Sequence, residues 1–308
     1  ALDAWESRST SDGRTKDDHI VSIFRTTTRS SYGLVTSAGR LVLAHVVELP
    51  KVSADGPLSV TGGVKAEELL GMTENTDPIR GERVIAAIDM PSTDDGGQLV
   101  PLALGTRNGV VKRWNRESPT TMDSWSVIDL KDDDEVLAAA EARDEDRLVF
   151  VSTDSSLLTF EAKNVRPQGR TAGGMAGIRL AEGCSVAAFA VVPDGKVTWN
   201  YEEGENGLFS ASGAVVLTVA GDSEALPGTE NGAAKVTPLE MYPTKGRGTG
   251  GVRSQRFLKG QDTLILAFVG AYPLHASTQS GAPVELPKPD MRRDGSGTDL
   301  SAPIAVVG

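Results

Sequence analysis

The sequence is poor in the residue types on which most catalytic and metal chemistry rests. Of its 308 residues, one is cysteine and three are histidine. A single cysteine, Cys184, forbids an internal disulfide and favours a reducing, cytoplasmic compartment. In "EGCSVAAF", with no histidine beside it, Cys184 reads as a small filler residue rather than a nucleophile. His19, His45 and His275 lie far apart, and no HExxH, CxxC or GxxxxGK[ST] spacing occurs. "DDDE" at 132–135 lacks calcium-loop spacing and reads as a solvated acidic loop. The expectation is a chain with no catalytic residue, no metal site and no cofactor.

Other shortages narrow the partners. Aromatics make up 5% of the residues, which disfavours single-strand binding by base stacking; Trp114 reads as a blade-edge core residue before a stacking one. No apolar run reaches 18 residues, so no membrane partner is expected. Coiled-coil heptads and long amphipathic helices are absent. The opening "ALDAWESRSTSDGRTKDDH" lacks an apolar stretch and reads as a flexible linking arm over 1–18, and the missing initiator Met suggests a piece of a longer chain.

What is present is a repeat. One apolar phrase recurs as "HIVSIFRT" (19–26), "ERVIAAID" (82–89), "DEVLAAAE" (134–141), "CSVAAFAV" (184–191) and "DTLILAFV" (262–269), each the length of a buried strand. After each comes a second phrase: apolar residues, Thr or Ser, two variable positions and Gly. It reads "GLVTSAG" (33–39), "LALGTRNG" (102–109), "LVFVSTDSS" (148–156), "VVLTVAG" (215–221) and "LHASTQSG" (274–281), with Ser155 replacing glycine in the third copy. Physically this is a strand, a tight turn that wants φ > 0, and a returning strand. The Thr/Ser positions 36, 106, 152, 218 and 278 are unequally spaced, which fits one supersecondary unit on the scale of a propeller blade with inserted loops. A third phrase, Gly-Gly then an apolar residue, occurs in "SVTGGVKAEELLG", "RTAGGMAGIRLAEG" and "GTGGVRSQRFLKG" and suggests close backbone approach before a final strand. "VKAEELLG" also allows a helical turn or two. Residues 291–308 form a polar tail whose "IAVV" is placed to close the ring as a last strand.

The charge is segregated along the chain. The net charge is −11, yet three stretches carry no acid. They hold Arg107, Lys112, Arg113 and Arg116; Lys163, Arg166, Arg170 and Arg179; and Lys245, Arg247, Arg253, Arg256 and Lys259. Arg40, at the head of the first returning strand, is placed with them. Residues 122–146 hold ten acids against two bases. In a ring of blades, matching late positions share a rim, so the three stretches predict a basic track on an acidic body. Such a track attracts a polyanion through local field, and neighbouring glycines let backbone N–H groups reach phosphates. Arg247 and Arg253 are expected beside the equivalent Arg170 and Arg179. With no acid nearby they are expected to serve no structural role, so that reversing both charges leaves the fold nearly intact.

"LALGTRNGVVKRW" (102–114), "VRPQGRTAGGMAGIRLAEG" (165–183) and "YPTKGRGTGGVRSQRFLKG" (242–260) resemble the C-terminal domain of the A-type polypeptide of bacterial type IIA DNA topoisomerases, gyrase A and topoisomerase IV A (ParC). The resemblance covers about 19–290 and is strongest to the topoisomerase IV type of high-GC Gram-positive bacteria. It implies an all-β fold, a β-pinwheel of about five four-stranded blades with strands exchanged between neighbours, spanning 19–290. It also implies a non-catalytic function, binding and bending double-stranded DNA on a basic rim. The implied partners are the other domains of the same ParC- or gyrase A-type polypeptide, together with the ATPase B subunit of a cytoplasmic, nucleoid-associated enzyme. The family's catalytic tyrosine lies in another domain, and none of Tyr32, Tyr201, Tyr242 or Tyr272 stands in a matching context. Gyrase A domains carry a Gln-Lys/Arg-Arg-Gly-Gly-Lys-Gly box in the first blade. Here "LPKVSADGPLSVTGGVK" (49–65) does not match it, which points to topoisomerase IV-like decatenation and relaxation over gyrase-type wrapping for negative supercoiling. From other classes, a propeller-like protein-interaction scaffold and an enzyme with a site in the central channel compete with the DNA reading.

Overall fold

The computed structural model describes residues 23–24, 26–49, 64–69, 81–90, 99–131, 133–203, 209–226 and 228–308. The arm at 1–18, most of the first apolar phrase at 19–26 and nearly all of the 49–65 segment lie outside the described residues.

Five hairpins carry the fold. The first four pair Ser31–Thr36 with Arg40–His45, Leu102–Thr106 with Val110–Trp114, Arg147–Ser152 with Ser156–Glu161, and Ala214–Gly221 with Ala233–Pro238. The short fifth pairs Ala276–Ser277 with Pro283–Val284. The Thr of the second phrase builds the turn. Gly39, Gly109 and Gly281 donate their N–H to the carbonyls of Thr36, Thr106 and Thr278, and the hydroxyls of those threonines accept the N–H groups of Arg40, Val110 and Ala282. The residue closing each turn is left-handed, with φ of +73° at Gly39, +82° at Gly109, +68° at Ser155 and +80° at Gly281. The fourth turn corrects the expectation. Gly221 ends a strand, and the left-handed residue is Gly232 (φ +72°), because the acidic insertion lies between them.

The apolar phrases form strands, but the phase of the unit differs from the sequence reading. Val84–Met90 pairs back onto the first hairpin, Val136–Glu141 onto the second, Val186–Val192 onto the third and Thr263–Ala271 onto the fourth. Each phrase therefore completes the hairpin before it, not the one after it. These four strands lie side by side as the inner strands of successive blades. Three of them line a cavity of about 290 Å³ with Ala138, Ala139, Ala140, Ala187, Ala188, Ala190 and Ala267, besides larger apolar side chains. Strands converging on an axis leave room mainly for small side chains, which accounts for the alanines.

The outer strand of each blade comes from the next unit. Ser124–Ser126 pairs with the first hairpin, Met175–Ala176 with the second, Val252–Arg253 with the third and Thr298–Asp299 with the fourth. At each exchange the carbonyl of the turn residue accepts an incoming N–H: Gly39 from Val127, Gly109 from Ile178, Ser155 from Ser254, and Gly232 from Leu300. The Gly-Gly phrase marks the crossing at Gly174 and Gly251, both left-handed with φ of +81° and +71°. Val306–Val307 pairs with the fifth hairpin, so the polar tail supplies two strands of the structure. Core clusters sit between blades: Leu41, Leu104 and Trp114 between the first and second, and Phe150, Phe160 and Phe189 between the second and third. The architecture is the expected all-β pinwheel, with Ala66–Leu69 as one helical turn. A hairpin of Asn200–Glu203 and Phe209–Ser212, inserted after the third inner strand, was not foreseen.

Candidate nucleic-acid interface

Three cations of the first basic stretch are buried and not on the rim. Lys112 is fully buried, and its ammonium donates to the carbonyls of Arg170 (3.0 Å) and Ala172 (2.6 Å). Burial pushes this amine down to about 8, against the pull of Asp129 and Glu117. Arg113, also buried, donates to the carbonyls of Ala142, Ala162 and Val165 and pairs with Asp144 at 2.7 Å. Arg116, left-handed at φ +63°, donates to Glu141 at 2.6 Å and to the carbonyl of Asp89. All three were expected to face DNA; they hold the second blade to its neighbours instead. Trp114 between them is fully buried, a core residue as its sequence suggested.

The segregation seen in sequence is cancelled here by pairing. Leu102–Thr106 of the second hairpin runs antiparallel to the acid-bearing Val136–Glu141. Acids of 122–146 therefore become the counter-charges of the first basic stretch: Asp144 for Arg113, Glu141 for Arg116 and Glu135 for the exposed Arg107. Glu135 also holds Arg83 at 2.9 Å, and these guanidinium groups keep its carboxyl below the usual range although burial works against them. Arg40 is likewise neutralised, bidentate on Glu82 at 2.8 and 2.7 Å.

Apart from Lys163, which pairs with Glu161, the second and third stretches keep their charge and lie together. Arg166, Arg179, Arg253, Arg256 and Lys259 are exposed and have no acid partner among the described residues. Arg170 is half-buried in a rim groove of about 720 Å³ that also holds Arg40 and Asp129. Lys245 is half-buried and donates to the carbonyl of Gly251 at 3.1 Å. The half-buried Arg247 reaches across to the earlier segment, donating to the carbonyls of Asn164 (3.2 Å) and Ala176 (2.6 Å). Its expected freedom from structural duty is thus corrected: the partners are carbonyls, which fix the side chain without cancelling its charge. Backbone bonds weld the two stretches, from Gly248 N–H to Gly177 O at 2.7 Å and from Arg179 N–H to Thr249 O at 3.0 Å. The acid-free groups of 163–180 and 244–259 form one basic run across two junctions.

Lys235 is a buried lysine that the sequence reading missed. It sits three residues after its turn glycine, as Lys112 does, and donates to the carbonyls of Ser254 (3.1 Å) and Arg293 (3.0 Å). Its burial pushes the amine down to about 8. A lysine at a fixed offset from the turn, inside an apolar strand, was the signal available in sequence. Cys184 is half-buried and free. No cluster of metal-ligating side chains occurs among the described residues. Of those same residues, no helix is long and apolar enough to cross a membrane, a statement that does not extend to strands.

Comparisons with known proteins agree with this fold. The family described as DNA gyrase C-terminal domain, beta-propeller, matches residues 146–193 and 228–270. The chain is similar to the gyrase A protein of Staphylococcus epidermidis, 26% identical over 286 residues, covering 91% of this chain and 27% of that protein. It is similar also to the gyrase A protein of Mycolicibacterium smegmatis, 25% identical over 292 residues, covering 93% of this chain and 30% of that protein. The chain thus spans under a third of the length of these relatives. Among solved structures, the C-terminal domain of DNA topoisomerase IV superposes with a TM-score of 0.69 at 18% identity, covering 98% of this chain and 84% of that one. The E. coli ParC C-terminal domain does so with a TM-score of 0.55 at 14% identity, covering 91% of this chain and 98% of that one. At these identities the structures speak for the fold.

Proposed function

Because this chain belongs to the C-terminal domains of the gyrase A and ParC family of type IIA DNA topoisomerases, we propose that it is a non-catalytic domain that binds and bends duplex DNA. It would present that segment to the strand-passage core of a cytoplasmic enzyme, alongside the other domains of the same polypeptide and an ATPase B subunit. The observation that carries the reading is the uncancelled basic run from Arg166 to Lys259, welded across two junctions of an otherwise acidic chain. Phosphate attraction depends on that local field, and contacts of this kind are largely independent of sequence. A scaffold reading would have gained from basic stretches facing different ways; the two exposed ones lie together. A channel enzyme would need titratable groups around the axis, and the inner cavity is lined by Ala, Val, Leu and Phe.

Duplex binding is expected to weaken steeply with salt, with a slope of log K against log salt of roughly −4 to −7 for about 4–8 neutralised phosphates. Reversing Arg179 and Arg256 together should shrink the slope by about 2 and weaken binding roughly 10–100-fold at moderate salt. Both side chains are exposed, so thermal stability should stay within about 0.5 kcal/mol per substitution. A flat salt dependence of the parent, or an unchanged slope in the double variant, would sink the reading.

A gyrase-type wrapping role is the second reading, favoured by the gyrase A relatives. A basic run confined to two junctions favours weaker bending, with decatenation or relaxation by the whole enzyme. Robust ATP-driven negative supercoiling by that enzyme would decide for the gyrase-type role.

A further inference from the structure

One rim position repeats at three successive junctions and changes sign. The backbone N–H of Asp129 donates to Ala172 O at 3.2 Å, that of Arg179 to Thr249 O at 3.0 Å, and that of Arg256 to Gly295 O at 3.0 Å. Each lies three residues after an equivalent exchange-strand residue: Ser126 opposite Arg40, Ala176 opposite Val110, and Arg253 opposite Ser156. Arg179 is therefore equivalent to Arg256, not to Arg253. All three side chains are exposed. Asp129 borders two rim grooves, of about 630 and 720 Å³, the larger shared with Arg170. The basic run thus ends where the same backbone position carries a carboxylate.

We propose that Asp129 is the residue that sets the end of the DNA path: a duplex following the run across Arg256 and Arg179 is turned away at the first junction. This rests on the DNA-binding reading above. The exposed carboxylate faces the approaching phosphates from the position at which the other two junctions offer a guanidinium. Within about 8–10 Å, the screening length at ordinary salt, such a reversal acts on the nearest phosphates and not on the whole complex. The occupant is double-stranded DNA, and what Asp129 controls is how much of it is held and bent.

The test is salt-titrated binding together with end-to-end energy transfer on a duplex shorter than one persistence length, about 150 bp. In Asp129→Arg the salt slope should steepen by about 1 and the ends should come closer than with the parent. Because Asp129 also lies near the buried Lys112 ammonium, an added cation there could loosen the fold. Asp129→Asn adds no cation beside Lys112, although it removes a counter-charge, and with its melting temperature checked it should bind about 2–5-fold more tightly at low salt. Glu202→Arg, the same charge change on the exposed inserted hairpin, is the control for net charge and should leave slope and bend unchanged. Parent-like slope and bend in both Asp129 variants, or equal gains from Glu202→Arg, would overturn the proposal while leaving DNA binding standing. A parent that binds no duplex overturns the DNA reading itself, and the proposal with it.

Discussion

Replacing Arg113 by methionine is expected to lower the stability of the domain by about 2–5 kcal/mol, although an arginine in a basic stretch invites a surface role. The guanidinium is 2% exposed and supplies donors to three carbonyls, of Ala142, Ala162 and Val165, from the inner edge of one blade and the outer edge of the next. Methionine fills much of the volume and removes the cost of a buried charge, yet the carbonyls of Ala142 and Val165 lose their donors in a place water does not reach, while that of Ala162 keeps the Val165 N–H at 2.9 Å. Buried acceptors left unpaired cost about 1–3 kcal/mol each. The melting temperature should fall by roughly 2–4 °C for each kcal/mol lost. Arg253→Met, whose side chain has no partner among the described residues, should stay within about 0.5 kcal/mol of the parent. DNA titration below the melting range separates the roles. The salt slope should hold in Arg113→Met and shrink by about 1 in Arg253→Met. A stable Arg113→Met with a reduced slope would return Arg113 to the DNA contact.

Gly251→Val is expected to cost about 2–5 kcal/mol and to release the third exchange segment. Gly251 has φ +71°, and a Cβ there would lie 2.5 Å from Leu157 O and 2.7 Å from Leu157 C. The left-handed backbone costs a side-chain-bearing residue about 1–2 kcal/mol, and forced overpacking a further ~1–3 kcal/mol. The obstructing atoms are main chain of a paired strand and cannot swing aside. Gly260→Val isolates the conformational part: its φ is +86°, but nothing lies within 4 Å of the added Cβ. Amide exchange should speed up over 244–256 in Gly251→Val and stay near parental in Gly260→Val. DNA affinity should drop only in the first, since Arg253 and Arg256 ride on the released segment. Equal exchange rates in the two variants would show that the close approach is not what holds the strand.

The repeat was legible because its parts are local. A threonine hydroxyl that accepts the N–H four residues on, and a left-handed residue three residues on, can be read from one short phrase, as at Thr106 and Gly109. Gly-Gly before an apolar residue likewise announced the crossing at Gly251. The phase of the unit was not legible, since Val136–Glu141 pairs with the hairpin before it while standing ahead of another in sequence. Nor was the fourth turn: Gly221 fits the phrase as well as Gly232, and only the pairing of Ala220 with Ala233 separates them.

Charge shows the divide most sharply. By itself the sequence determined that cations cluster in three stretches and that the blades repeat, because composition and short-range stereochemistry are written residue by residue. Only the tertiary structure decided which cations keep their field. Lys112 and Arg113 are neighbours on a strand whose two faces are both covered, so the usual alternation of inward and outward side chains does not apply, and both end on carbonyls. Arg179 and Arg256 fall at crossings where the chain passes over its neighbour and leaves the side chain in water. Whether a charge is cancelled depends on what another part of the chain brings within a few ångströms, and the fold draws those partners from far along the sequence, as Glu135 does in holding Arg83.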